Sequence, residues 1–270
     1  MKSAFDPVGL EEYYLDYINK KNEDNYKKRY VDKESYYLAS GAGFCSRKLY
    51  YQSIEKAEPT NETPSLGKMK MRFGSIFHDD FQKALVNNNM LTNNNIYIKT
   101  INKEKNKVLS KKKVKFHVEQ EIIIPDLNVR GFYDVVAEQQ EDDEERIYLY
   151  DLKTVASYPW MRKFGRNISD TSENYKLQLG TYGAAVKEQF GRLDGMYLYF
   201  YNKDTSQIKN VFVSDNYIGL ARNYWRNIQR EHAKGIPQFI KGISPAEQWA
   251  CGYCEFLDHC NPPDYKNKKR

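Results

Sequence analysis

Three of the four cysteines lie in one ten-residue string, CGYCEFLDHC (Cys251, Cys254 and Cys260), while the fourth, Cys45, stands 206 residues upstream. Thiols gathered this way in a chain otherwise free of cysteine read as a ligand pattern before a disulfide pattern, because a reducing compartment keeps such thiols reduced. Four thiolates complete one tetrahedral zinc site or one iron–sulfur cluster. Zinc ribbons present two CxxC knuckles, whereas three ligands together with one far upstream fit a cluster better. Either way, Cys45 has to fold beside residues 251–260, so the metal ties the two ends of the chain together. The competing reading is four unrelated buried thiols acting as small hydrophobes. His259, next to Cys260, reads as a solvated or core histidine rather than a replacement ligand.

A length of 270 residues allows one large domain or two small ones. The hydrophobic fraction of 40% includes 23 Tyr and the mean hydropathy is −0.81, which describes a polar, well-solvated protein. Charged residues make up 29%, and 42 Lys and Arg against 36 Asp and Glu leave a net charge of +6, compatible with a polyanionic partner. No apolar run is long enough to span a bilayer, and the first residues lead into no apolar signal core, so a soluble cytoplasmic protein without membrane contact is expected.

Residues 1–35, rich in Tyr, Lys and Asp, show weak helical spacing in Leu10, Tyr14 and Ile18 and form an N-terminal appendage. After Cys45 a short helix carries Leu49 and Tyr50, with Arg47 and Lys48 as candidate phosphate contacts, and residues 55–65 form a polar linker. The next helix places Met71, Ile76, Phe77, Phe81 and Leu85 on one apolar face and ends in an Asn run. Eight Lys between Lys99 and Lys115 mark a solvated loop or hairpin arm, able to add counterion-release binding to a phosphate backbone. Then VEQEIIIP, VRGFYDVVAE and RIYLYDLKTV read as an antiparallel meander, with the acidic run 141–145 as the last turn. A helix from Ser172 to Phe190, the strands GMYLYFYNK and NVFVS, and a helix over 216–234 precede the cysteine string, and residues 263–270 form a basic tail. No GxxxxGK[ST] phosphate loop occurs, so any motor has to be another chain.

The chemistry concentrates in GFYDVV and YLYDLKT. Residues i and i+2 of a strand share a face, so Asp151 and Lys153 point into one space, and a hairpin brings Asp134 beside them. Converging carboxylates repel unless a cation sits between them, and oxygen ligands suit Mg²⁺ or Mn²⁺. A lysine beside such an ion orients an attacking water while the ion polarises a phosphoryl oxygen, which is the equipment of phosphodiester hydrolysis. The bland alternative is a pair of exposed strand acids with Lys153 as a surface partner worth ~1 kcal/mol or less. Glu119 and Glu121 on the preceding strand are candidates to reach the ion through water, or solvated acids.

Taken in order, His78 in GSIFHDDFQ, Gly131 and Asp134 in GFYD, Asp151 and Lys153 in DLK, Gln178 and Tyr182 in QLGTY, and the one-plus-three cysteines resemble the RecB-like iron–sulfur branch of the PD-(D/E)XK nuclease superfamily. That branch includes the nuclease domain of AddB-type recombination proteins and the small CRISPR-associated adaptation exonucleases. The resemblance runs from about residue 35 to residue 262. It implies a restriction-endonuclease-like α/β fold: a mixed central sheet flanked by helices, with an iron–sulfur lobe joining both ends of a single nuclease domain over 36–262. It also implies that Asp134, Asp151, His78 and the backbone carbonyl of Leu152 hold Mg²⁺ or Mn²⁺. In the same pattern Lys153 positions water, Gln178 and Tyr182 organise the site, and Cys45, Cys251, Cys254 and Cys260 carry a 4Fe-4S cluster. The second acid is Asp151 where the superfamily often has Glu, and Tyr133 stands where Pro commonly precedes the first acid.

The resemblance implies a DNA exonuclease acting on single strands or frayed duplex ends in recombination, repair, CRISPR adaptation or phage DNA processing, with a helicase, recombination or integration chain as a candidate partner. Two other readings compete with it: a non-catalytic nucleic-acid-binding module with a Cys₄ metal site, and a structure-specific endonuclease.

Overall fold

The computed structural model describes residues 10–30, 36–61, 63–91, 96–102, 107–141, 144–165, 172–238, 251 and 253–260. Its elements in chain order are α1 (Leu10–Tyr30), β1 (Tyr37–Leu38), α2 (Ser46–Tyr50), α3 (Ser65–Leu91), β2 (Ile96–Asn102), β3 (Lys107–Ile124), β4 (Val129–Glu141), β5 (Glu144–Val155), α4 (Ser157–Phe164), α5 (Glu173–Phe190), β6 (Gly195–Asn202), β7 (Ile208–Val213), α6 (Asn216–His232) and α7 (Leu257–Cys260). A π-helical turn over Tyr51–Glu55 extends α2.

The strands form one mixed sheet in the order β2-β3-β4-β5-β6-β7, with β1 added in parallel to β4. Neighbours from β2 to β5 run antiparallel, as the meander requires, and β5 and β6 run parallel. A parallel neighbour needs a crossover, and α4 and α5 supply it. The lysine-rich stretch is a hairpin arm of β2 paired with β3, while its tip, residues 103–106, lies outside the described residues, as does the basic tail.

Period-two alternation sets the two faces of the sheet. On β6, Met196, Leu198 and Phe200 are buried on one face, and Tyr197, Tyr199 and Tyr201 stand half-buried on the other. The first face takes α5 and α6, whose Leu177, Leu179, Val186, Ala221 and Trp225 complete the core. The two helices approach closely: a Cβ at Gly180 would meet the carbonyl of Tyr217 at 2.3 Å, so only glycine fits there. Trp225, wholly buried, donates its indole N–H to Thr181 Oγ1 at 2.9 Å, which satisfies the one polar atom of the largest core side chain. The opposite face takes α3, with Phe77 stacked on Tyr201 at 4.3 Å and Phe81 against Tyr199 at 5.1 Å.

The apolar face expected for α3 is corrected by this packing. Phe77, Phe81 and Leu85 are partly buried, but Met71 is 57% and Ile76 44% exposed. The buried side of the helix is the one carrying Gly74, which abuts Thr154, with His78 and Gln82; Ile76 is two residues, ~200°, round from His78. The helix also continues through the Asn run to Leu91. The N-terminal segment forms α1, whose Ile18 is wholly buried.

Candidate active site

The sheet forks where the acids stand. Pairing of β4 with β5 ends at Val135 and Tyr150, yet β4 stays on β3 as far as Val129 and β5 stays on β6 as far as Val155. Asp134 and Asp151 occupy the next position on each strand, at the mouth of the fork, where α3 reaches in from one face and α5 from the other. On the β3 side, Glu119 faces Asp134 in register but adopts a left-handed φ of 49°, and the β3–β4 ladder skips that one position. The Asp134 segment is therefore unladdered on both sides.

Side chains take over from the ladder. Leu152 N–H donates to Asp134 Oδ2 at 2.7 Å, and His78 Nδ1 lies 3.3 Å from Asp134 Oδ1. Lys153 Nζ lies 2.5 Å from Asp151 Oδ2, donates to Gln178 Oε1 at 3.2 Å and sits 5.0 Å above the Tyr175 ring. Gln178 Nε2 donates to Tyr182 Oη at 3.0 Å. Gly131 explains itself here, since a Cβ would meet Ala39 Cβ at 2.8 Å and the Tyr182 ring at 3.1 Å. His78, Asp134, Asp151, Lys153, Gln178 and Tyr182 thus converge from α3, β4, β5 and α5. Leu152 itself is a core side chain, 1% exposed, with its amide turned to Asp134. Glu121 is committed elsewhere, paired with Arg130.

Charges in this fork hold each other. Burial pushes Asp151 up to about 6, offset in part by the Lys153 ammonium and reinforced by Asp134. For Asp134, burial is outweighed by the His78 hydrogen bond and charge, by Lys153 and by the Leu152 amide, so its carboxyl lies below the usual range. Burial works against the charged forms of Lys153 and His78 as well, yet the acids raise both. At neutral pH Lys153 is a cation and hydrogen-bond donor, not a base.

The cysteine segments also come together. Arg47, two residues after Cys45, donates to the carbonyls of Pro237 at 2.6 Å and Cys260 at 3.2 Å, and its Nη1 lies 3.6 Å from Cys260 Sγ. Tyr51 Oη donates to the His259 carbonyl at 3.0 Å, and Asn61 Nδ2 to the Cys254 carbonyl at 3.0 Å. All four thiols are free and half-buried. Burial first, and then the charge of neighbouring cysteines, raises Cys45 and Cys251; burial likewise raises Cys254. His259 Nε2 is 2.9 Å from the Glu58 carbonyl and so donates its N–H there. Arg47 and Lys48, expected as phosphate contacts, are instead tied to the C-terminal segment, Lys48 through Glu255 at 3.3 Å.

Among the described residues no group of three or more His, Cys, Asp or Glu side chains stands together so as to hold a metal ion. The carboxylates of the fork nevertheless have the chemistry of hard-cation ligands. Asp151 Oδ2 is wholly buried with the Lys153 ammonium at 2.5 Å, and Asp134 stands beside it, a pair of converging acids whose repulsion a hard cation relieves. The four cysteine donors are half-buried free thiols.

A family model described as PD-(D/E)XK nuclease superfamily matches residues 95–261, more than half of the chain. No curated protein matches it. The crystal structure of SSO0001 superposes with a TM-score of 0.52 and 15% identity over 96% of this chain and 99% of that one, a likeness of fold. An alkaline exonuclease (LHK-Exo) from Laribacter hongkongensis gives a TM-score of 0.37 and 11% identity over 74% of this chain and 88% of that one. By the family match, the chain belongs to the PD-(D/E)XK nuclease superfamily.

Proposed function

We propose that the chain is a divalent-metal-dependent DNA nuclease of the RecB-like iron–sulfur type, an exonuclease working on single strands or frayed ends. The observation that carries this reading is the convergence of Asp134, Asp151 and Lys153 at the mouth of the strand fork, where β4 and β5 cease to pair. Nucleases of this superfamily use divalent metals such as Mg²⁺ or Mn²⁺. Here Asp134, Asp151, His78 and the Leu152 carbonyl would hold the ion, and the imidazole favours Mn²⁺. When bound, the ion supplies Lewis-acid polarisation of the scissile phosphodiester.

The remaining tasks fall to the chain. Lys153, kept cationic by the acids, donates to the attacking water and faces the charge that develops on the phosphoryl oxygens. Gln178 holds Nζ from the α5 side, and Tyr182 holds Gln178. The Leu152 amide fixes the Asp134 carboxylate, so the groups need no reorganisation as the reaction proceeds.

In this reading Cys45, Cys251, Cys254 and Cys260 carry a 4Fe-4S cluster that pins both ends of a single domain over 36–262. Arg47, with an N–H beside Cys260 Sγ, supports thiolate ligation there. The cluster's role is structural. Among the described residues no helix is long and apolar enough to cross a membrane.

The test is a panel of linear single-stranded, frayed duplex, circular and branched DNA with Mn²⁺. Digestion of linear strands and frayed ends with intact circles is expected. Cleavage confined to circles or branches would make the chain an endonuclease, and binding without cleavage of any substrate would make it a nucleic-acid-binding module.

A further inference from the structure

Glu119 is a non-glycine residue in the left-handed region, a conformation that costs free energy and persists where surrounding contacts enforce it. Its register partner across the sheet is Asp134, and this is the one position that the β3–β4 ladder omits between Val118–Val135 and Gln120–Tyr133. A side chain fills the gap. Gln82, 8% exposed and one helical turn after His78 on α3, uses its amide nitrogen to bridge Glu119 Oε2 at 3.0 Å and the main-chain carbonyl of Asp134 at 3.3 Å. Residues i and i+4 of a helix stand one above the other. The same face of α3 therefore grips Asp134 twice, by its carboxylate through His78 and by its carbonyl through Gln82.

We propose that Gln82 is a positioning residue: by bridging Glu119 and the Asp134 carbonyl it sets the distance between the His78 imidazole and the Asp134 carboxylate, and so the affinity of that pair for a divalent ion. This inference rests on the metal-dependent reading above and adds to it a residue that does not touch the ion. Without the bridge, the turned-out Glu119 leaves the Asp134 carbonyl with no such donor, and the helix loses the contact that registers His78 against β4. Replacement of groups that orient metal ligands typically costs ~10–100-fold in metal affinity.

The experiment measures Mn²⁺ binding by calorimetry on the full chain, for wild type and Gln82→Met, a change that keeps side-chain length and removes the amide. The His78 ring nitrogens are followed by NMR, with the Trp225 indole N–H as a monitor of the core. A loss of about 10–100-fold in Mn²⁺ affinity, with His78 signals displaced and the Trp225 signal unmoved, is the expected result. Activity at limiting Mn²⁺ should fall in parallel and return at saturating Mn²⁺, which a general loss of structure would not allow. Should Gln82→Met fail to fold, Gln82→Ser, with room for a water at the carbonyl, should show a smaller loss in the same direction. Wild-type affinity and unmoved His78 signals in a folded variant would overturn the proposal. Mn²⁺ binding that depends on Gln82 in a protein that cleaves no DNA would remove the nuclease reading and leave the positioning role standing.

Discussion

The main-chain amide of Leu152 donates to Asp134 Oδ2 at 2.7 Å, so β5 grips a carboxylate of β4 at the place where the two strands cease to pair. One oxygen of Asp134 is thereby spent on position, and the other, Oδ1, faces His78. The fork keeps two acids close without letting either turn away, and the cost of their repulsion falls on the cations among them.

Lys153 is the chief of those cations within the chain. In Lys153→Met the buried Asp151 loses its ammonium, and removing one partner of a buried pair destabilises by about 3–5 kcal/mol. Thermal unfolding in chelator should show that loss. Added Mn²⁺ should restore much of it, because a divalent ion replaces the missing charge, while cleavage stays abolished. Equal melting of wild type and variant in chelator would contradict the pairing.

Gln178 and Tyr182 form a graded series. Gln178→Leu deprives Lys153 Nζ of its acceptor and should lower kcat more than it raises KM for DNA. Tyr182→Phe removes the acceptor of Gln178 Nε2, at a cost of about 1 kcal/mol, and should have the smaller kinetic effect. Steady-state rates at saturating Mn²⁺ test the order, and a Tyr182→Phe defect larger than that of Gln178→Leu would reverse it.

A second buried network governs stability against pH. His232 Nδ1 lies 2.8 Å from Tyr37 Oη, its Nε2 lies 3.1 Å from Ser46 Oγ, and Ser46 donates to Glu231 at 2.5 Å. Burial, only partly offset by the Ser46 carbonyl and Glu231, lowers the His232 pKa below 6.5. The unfolded chain therefore binds a proton more readily than the folded one, and stability should decline as pH falls from about 6.5 until the folded histidine also titrates. Urea unfolding at pH 7.5 and 5.5 should show this decline in wild type and a smaller one in His232→Gln.

The cysteines give a chemical prediction. Anaerobic purification should yield a brown protein with equal iron and acid-labile sulfide, and Cys45→Ser should lose both. Because Arg47 and Tyr51 bond to Cys260 and His259, hydrogen exchange should quicken around residues 46–55 and 253–260 together. A colourless protein with stoichiometric zinc would contradict the cluster.

Much of the fold was legible because the strands alternate. β5 buries alternate residues from Ile147 to Asp151 and β6 from Met196 to Asn202, so the shared face of Asp151 and Lys153 followed from period two, while the facing of Asp134 and Asp151 needed the hairpin register as well. Gln178 and Tyr182 were equally readable as one helical turn. Less could be read of α3, since the apolar stripe ran through Met71 and Ile76, whereas the side that meets the sheet carries Gly74, His78 and Gln82. Gln82 carries no such signal although it lies four residues after His78, because its importance depends on the left-handed turn at Glu119, a conformation that a glutamate does not advertise. Arg47 and Lys48 look like phosphate ligands until the far end of the chain supplies their partners.

The most direct measurement is cleavage of end-labelled single-stranded DNA by the purified chain with Mn²⁺, beside Asp134→Ala and Lys153→Ala that melt cooperatively. Nucleotide release by wild type, abolished by chelator and absent from both variants, is the predicted result. Release that persists in Asp134→Ala, or no release by wild type with any divalent ion, would contradict the placement of the reaction at the strand fork.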